Sequence, residues 1–196
     1  MLLQIYRDFP RPGLEAAYRA LEEEAARVCA ELRFPHVHFA IESLSAPVQI
    51  WWLNAFESEA DREQVTRAYT SNAGLVRALE DVGRRKQGLV ETPVDVLAHH
   101  RADLSRGPAW QVAGVRFFAL EITKDEPRMA GAVFEAPDGT RYVFRPAHSA
   151  AEAEQLATAA HAITTVFAVR PYWGLAAEAW IAADPEFWNV NPAAQR

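Results

Sequence analysis

The arrangement with most chemical potential is His36-x-His38-x-x-x-Glu42. In an extended strand successive side chains alternate between faces, so all three share one side, as two metal-binding imidazoles and a carboxylate would need. The same three also suit a wet cleft as hydrogen-bonded polar groups, and spacing without its structural context does not make a metal site. Haem ligation by His36, His38, His99 or His100 has no flanking context, and the adjacent His99 and His100 point in different directions. No metal and no cofactor is therefore expected. Cys29, the only cysteine, lies between Val28 and Ala30 in a helical stretch, where a buried thiol is inert. There is no Gly-x-Ser-x-Gly turn, and Gly74, Gly83 and Gly88 are too scattered to form a phosphate loop. Arg84-Arg85-Lys86 reads as a solvated helix end, where cations meet the helix dipole favourably.

Strand alternation extends this set. With Val37, Phe39 and Ile41 turned to the helices, His36, His38 and Glu42 look inward, with Gln4, Tyr6, Asn54, Arg116 and Phe118 beside them. Trp51 and Trp52 fall on opposite faces of one strand, and Trp52 joins the inward group. These nine residues (Gln4, Tyr6, His36, His38, Glu42, Trp52, Asn54, Arg116 and Phe118) are the candidate pocket lining, suited to a flat or apolar molecule. The alternative is that they fill the space between two halves of the chain, as aromatic stripes commonly do.

The elements that must position them read as follows. Residues 2–9 form a strand ending at Pro10, and Pro12 suits the first turn of a helix with Leu14, Ala17, Leu21, Ala25, Val28 and Leu32 at helical spacing. Pro35 breaks it, and residues 36–44 and 48–57 are strands joined at Ser45-Ala46-Pro47. Ser58 followed by Asp61 caps a second helix running to Tyr69, with a further helix through Leu75, Val76, Leu79 and Val82. Residues 89–108 lack a period and read as a long connection. Strand character resumes over 110–124, and 128–136 pairs with 141–146 across Pro137-Asp138-Gly139-Thr140. Ser149 and Glu152 form a capping box for a helix with Leu156, Ala159, Ala160, Ile163, Val166 and Phe167 on its inner stripe. Pro171 ends that helix, and residues 172–183 are a last strand.

The first half thus has most of a split β-α-β unit, and the second echoes it with its first helix replaced by a turn at Asp125-Glu126-Pro127. The expected organisation is a first ferredoxin-like repeat at 1–92, a connection at 93–108 and a second, degenerate repeat at 109–196. A four-stranded sheet left bare on one face is a large sticky patch, so each half should cover the other's open sheet. The fold class is α+β, with antiparallel sheets packed face to face.

The chain has 196 residues, 50% of them hydrophobic and 23% charged, which supports a packed core. With 26 acidic against 20 basic residues the net charge is −6, which opposes a large phosphate-binding surface: nucleic acid and anionic membranes are not expected partners. The opening apolar run is interrupted by Arg7 and Asp8, and no apolar window is long enough to span a bilayer, so a cytoplasmic location is expected. An outer strand or helix could support a homodimer.

The run Val48-Gln49-Ile50-Trp51-Trp52-Leu53-Asn54-Ala55-Phe56 leading into the next helix resembles the dimeric α+β barrel superfamily, and within it the NIPSNAP-like proteins with two fused repeats. Asp103-Leu104-Ser105, Trp110 before Val115-Arg116-Phe117-Phe118, and the closing Asp184-Pro185-Glu186-Phe187-Trp188 contribute to the likeness. It covers most of the chain. The histidine motif also has the spacing of the first cupin metal motif, but Ala30 and Gln49 stand where the cupin glycines would. The barrel superfamily contains cofactor-independent monooxygenases, haem-degrading enzymes and proteins with no established activity, so the likeness implies fold more than chemistry. Two functions follow: a non-catalytic role binding a small apolar or aromatic ligand or serving assembly, and, as the alternative, a cofactor-independent monooxygenase-like enzyme acting on an aromatic substrate in the barrel cleft. In the second, His38, Tyr6, Asn54 or Trp52 would orient the substrate or move a proton.

Overall fold

A computed structural model describes residues 1–106, 110–160 and 163–189. Eight strands close into one antiparallel barrel in the order β1-β3-β2-β8-β5-β7-β6-β4. They are β1 (Leu2–Asp8), β2 (His38–Ser43), β3 (Ile50–Phe56), β4 (Val94–His100), β5 (Phe117–Thr123), β6 (Ala132–Glu135), β7 (Arg141–Ala147) and β8 (Thr164–Leu175). The helices α1 (Glu15–Glu31), α2 (Glu59–Ser71), α3 (Ala73–Lys86), α4 (Ala150–Ala159), α5 (Glu178–Ala183) and α6 (Pro185–Trp188) complete the chain.

The order of the first four strands round the barrel, β4-β1-β3-β2, is repeated by the last four as β8-β5-β7-β6. The two groups do not stack as separate layers. They join edge to edge where β2 pairs with β8 (Ile41↔Val169) and β4 with β6 (His99↔Glu135), which leaves the barrel without a free edge. At one seam the backbones approach closely: a Cβ on Gly174 would lie 2.3 Å from the His38 carbonyl oxygen, so only glycine fits there.

One parity of every strand fills the interior. Leu3, Ile5, Phe39, Ile41, Trp51, Leu53, Phe118, Phe134, Phe144 and Phe167 form one buried cluster. Several of its rings meet edge-on, with Trp51 5.2 Å from Phe167 and Phe118 5.9 Å from Phe144, while Phe39 stacks on Phe118 at 6.1 Å, both geometries aromatic quadrupoles favour. Burial of this face, at roughly 25 cal/mol per Å² of apolar area, is the main stabilisation of the closed barrel.

The local signals for caps and turns are realised. Ser58 Oγ accepts from Asp61 N at 3.2 Å, and Ser149 Oγ accepts from Glu152 N at 3.2 Å while Glu152 reaches back to the His148 amide at 2.8 Å. Asn72 ends α2 and starts α3, its Oδ1 accepting from Leu75 N and its Nδ2 donating to Leu32 O. The β6–β7 turn has Gly139 at φ 81° with Thr140 N donating to Asp138 Oδ1.

Three expected stretches are different. The span 89–108 is not merely a connection, because β4 runs through it and bonds β1 from Leu2↔His99 to Arg7↔Val94. Its signal was masked by flanking Pro93 and by polar Asp95, His99 and His100, which lie on a strand buried on one face only. The helix starting at Ala150 stops at Ala159, and Val166 and Phe167 belong to β8, which continues through Pro171. The β-branched run Thr164, Thr165, Val166 favours strand and outweighs the helical spacing. Ile163 lies outside the helix and is 91% exposed. The last expected strand ends at Leu175, and Glu178–Ala183 is helix α5.

Candidate functional site

Because the barrel's interior takes the bulkier apolar parity, the opposite parity of β1, β2 and β3 faces out, under α1, α2 and α3. The expected orientation is therefore inverted: Phe39 and Ile41 point into the barrel, while His38, Glu42, Trp52, Asn54, Gln4 and Tyr6 lie on the helix side. The sequence reading gave the apolar face to the helices. In a closed barrel both faces are covered, and the drier one takes the larger rings.

Strand register turns this outer face into a grid. Gln4 stands opposite Asn54, Tyr6 opposite Trp52 on one side and Asp95 on the other, and Asp8 opposite Ile50. Ala40 opposes Trp52, and its small side chain leaves the indole uncovered from that strand. Above the grid is a cavity of about 530 Å³, walled by Phe34 and Phe56, by Val65, Thr66 and Tyr69 of α2, by Ala25 and Cys29 of α1 and by Leu79 and Lys86 of α3. α2 covers it without burying any of its own residues. Five of the nine candidates meet here: Gln4, Tyr6, His38, Trp52 and Asn54.

The other four do not line it. His36 donates Nε2–H to Ala55 O at 3.0 Å and stacks on Phe56 at 4.4 Å. Glu42, buried, is held between Arg19 (Nε 2.8 Å) and Arg170 (Nε 2.6 Å), which use both carboxylate oxygens. The His36–His38–Glu42 motif is thus divided among separate partners. Arg116 pairs with Asp184 at 2.9 Å on the surface, and Phe118 is in the barrel core. Among the other histidines, His100 shares a 3.1 Å bond with Ser105 Oγ, and His99 is exposed on β4 away from the cavity.

His38 is 4% exposed, and burial pushes its imidazole down to about 4, so at neutral pH it carries one proton. Its Nδ1 lies 3.2 Å from His36 O, an acceptor, which assigns that proton to Nδ1 and leaves Nε2 as a bare acceptor. No described residue bonds Nε2. Phe34 meets the ring edge-on at 5.1 Å and Trp52 lies 5.3 Å away, which fixes its orientation. The Trp52 Nε1–H is buried with no partner among the described residues.

The far end of the cavity holds residues the sequence reading missed. Lys86, expected in solvent, turns inward: it forms an ion pair with fully buried Glu22, lies 3.9 Å from Asp8, and its ammonium sits 5.7 Å from the Trp52 ring centroid. Tyr18 donates its hydroxyl to Asp8. Burial raises both the Glu22 carboxyl and the Tyr18 phenol above their ordinary values. Asp8 and Lys86 also border an open surface hollow, so the cluster stands between cavity and solvent. The available signal was Glu22 itself, at i+1 from core residue Leu21 and i−3 from Ala25, on a helix otherwise charged outward. Cys29 lines the wall with its thiol pushed up to about 12 by burial, and is unreactive. No group of three or more His, Cys, Asp or Glu suited to a metal occurs among the described residues.

No protein-family model and no curated protein matches the chain. Among solved structures, a protein of Fusobacterium nucleatum provisionally named a monooxygenase is similar over 89% of this chain and 92% of its own, with TM-score 0.50 and 9% identity. A structural-genomics protein of Agrobacterium tumefaciens matches 52% of this chain and 95% of its own, with TM-score 0.40 and 17% identity. No helix among the described residues is long and apolar enough to cross a membrane. The first likeness is one of fold, and with the closed eight-stranded antiparallel sheet it places the chain among α+β barrels.

Proposed function

We propose that this protein binds a small, flat, largely apolar molecule between the outer face of β1–β3 and the helices α1–α3, without catalysing a reaction on it. The observation that carries this reading is the cavity of about 530 Å³, in which Tyr6, Phe34, Trp52, Phe56 and Tyr69 contribute aromatic lining. Ligand sites are commonly pre-formed, apolar and of this size. The barrel centre, filled by Trp51 and phenylalanines, is not the site.

We read the chain as two fused ferredoxin-like repeats, the second lacking its first helix, in the manner of NIPSNAP-like proteins. The repeated strand order β4-β1-β3-β2 and β8-β5-β7-β6 supports this, as does the single helix α4 between β7 and β8. A second functional reading, a cofactor-independent oxygenase of an aromatic substrate, is favoured by the neutral His38 with its free Nε2 acceptor in the cavity and by the name of the Fusobacterium neighbour. In that reading the substrate sits under α2 rather than in the barrel cleft.

The test is titration with N-phenyl-1-naphthylamine, an uncharged probe whose fluorescence rises in apolar surroundings. Saturable binding of one probe per chain is expected, and loss of it in Val65→Trp, which fills the cavity from a helix with no buried residue. No saturable binding, or equal binding by the variant, overturns the proposal. Oxygen consumption with electron-rich arenes separates the enzyme reading from simple binding.

A further inference from the structure

We propose that the ligand of this cavity is an aromatic cation: a flat ring system carrying a protonated amine. The inference rests on the cavity being the binding site, and it adds the charge of what enters. The lining carries several acceptors, two of them carboxylates. His38 offers a bare Nε2, fixed as an acceptor by the Nδ1–H bond to His36 O. Gln4 spends Nε2 on Asp95 at 3.2 Å, which leaves its amide oxygen, and Asn54 stands directly across from it. Asp95 and Asp8 supply carboxylates at two places on the lining.

The cations near the lining are already committed. Lys86 is shared between Glu22 and Asp8, two carboxylates for one ammonium. Arg62, on the covering helix near Tyr6, is bonded through Nε to Glu59 at 2.9 Å. Even with Glu22 holding a proton, Asp95 leaves the lining negative. An anionic ligand would therefore meet net repulsion. An ammonium finds acceptors along the sheet side, and Tyr6, Trp52 and Tyr69 line the same space with rings of the kind whose π faces attract cations. Lys86 over Tyr18 and Trp52, at 5.1 and 5.7 Å, shows that a cation is already held against aromatic faces at this end.

The experiment displaces bound N-phenyl-1-naphthylamine at pH 7 with three naphthalenes of one size: 1-naphthylmethylamine, 1-naphthalenemethanol and 1-naphthoate. The amine is expected to displace the probe at about tenfold lower concentration than the alcohol, with the acid weakest. Asp95→Asn, an isosteric change at an exposed position, should narrow the gap between amine and alcohol by about threefold. Equal potency of amine and alcohol, a lead for the acid, or a gap unmoved by Asp95→Asn overturns the inference. In each case the probe still binds, and the cavity proposal survives. If the probe itself fails to bind, it is the cavity proposal that falls.

Discussion

The two halves of the barrel cover their outer faces differently. On the first half α1, α2 and α3 span the sheet, and α2 rests over Gln4, Tyr6, Trp52 and Asn54 without burying a residue. On the second half one helix of ten residues lies over β5 and β7 through small side chains: its own Ala153 and the strands' Ala119 and Ala147 are all within 1% of full burial. The polar pair beneath it, Glu121 and Arg145, is closed by a 2.6 Å ion pair. A long helical connection holds its cover off the sheet, whereas an alanine-faced helix settles onto it. Space for a ligand therefore follows from loop length and side-chain size, on strands that share one order.

The largest expected effect lies on the tight side. Arg145→Ala leaves Glu121 buried without its partner and should cost about 3–5 kcal/mol in denaturant unfolding, whereas replacing both with hydrophobic residues of similar volume should cost little. An equal loss in single and double variants would remove the distinction drawn for that half.

On the open side the expected effect is on pH. His38 is depressed to about 4 in the folded chain against about 6.5 unfolded, so the unfolded state binds more protons between those values. Its contribution is present above pH 6.5 and is lost as pH falls toward 4, by up to about 3 kcal/mol in all. His38→Gln should flatten that part of the stability–pH curve. An unchanged slope would show the imidazole to be solvated.

A third comparison is steric. Ala153→Leu, at a site with no exposure, should destabilise by about 1–3 kcal/mol, while Val65→Leu on the wall of the cavity should shift stability by less than about 0.5 kcal/mol. Similar costs at both would mean the first half is packed as tightly as the second. The smallest effect expected is at the edge of the lid: Ser58→Ala removes the bond to Asp61 N and should cost about 1 kcal/mol. It should also speed amide exchange in α2 before the rest of the chain.

What the sequence revealed depended on how local the cause was. Ser58, Ser149 and the Asp138–Gly139 turn act on neighbours a few residues away, and all three were legible. The boundary between α4 and β8 was not, because Ala160 to Phe167 carries helical spacing and β-branched residues together, and pairing with β5 decides between them. Side-chain alternation in β2 was correctly read as alternation but assigned to the wrong faces, since facing is set by barrel closure, a property of all eight strands. Lys86 was hidden for a related reason: it follows two arginines that do stay exposed, paired with Asp81 and Glu24, and it is drawn inward by Glu22 on another helix and Asp8 at the end of β1.

The most direct test of where the ligand sits is a crystal of the protein soaked with 1-naphthylmethylamine. The ring system is predicted between Trp52 and Tyr69, with its nitrogen within hydrogen-bonding distance of His38 Nε2 or of Asp95. Density inside the barrel beside Phe118 and Trp51, with the space under α2 unfilled, would contradict the account.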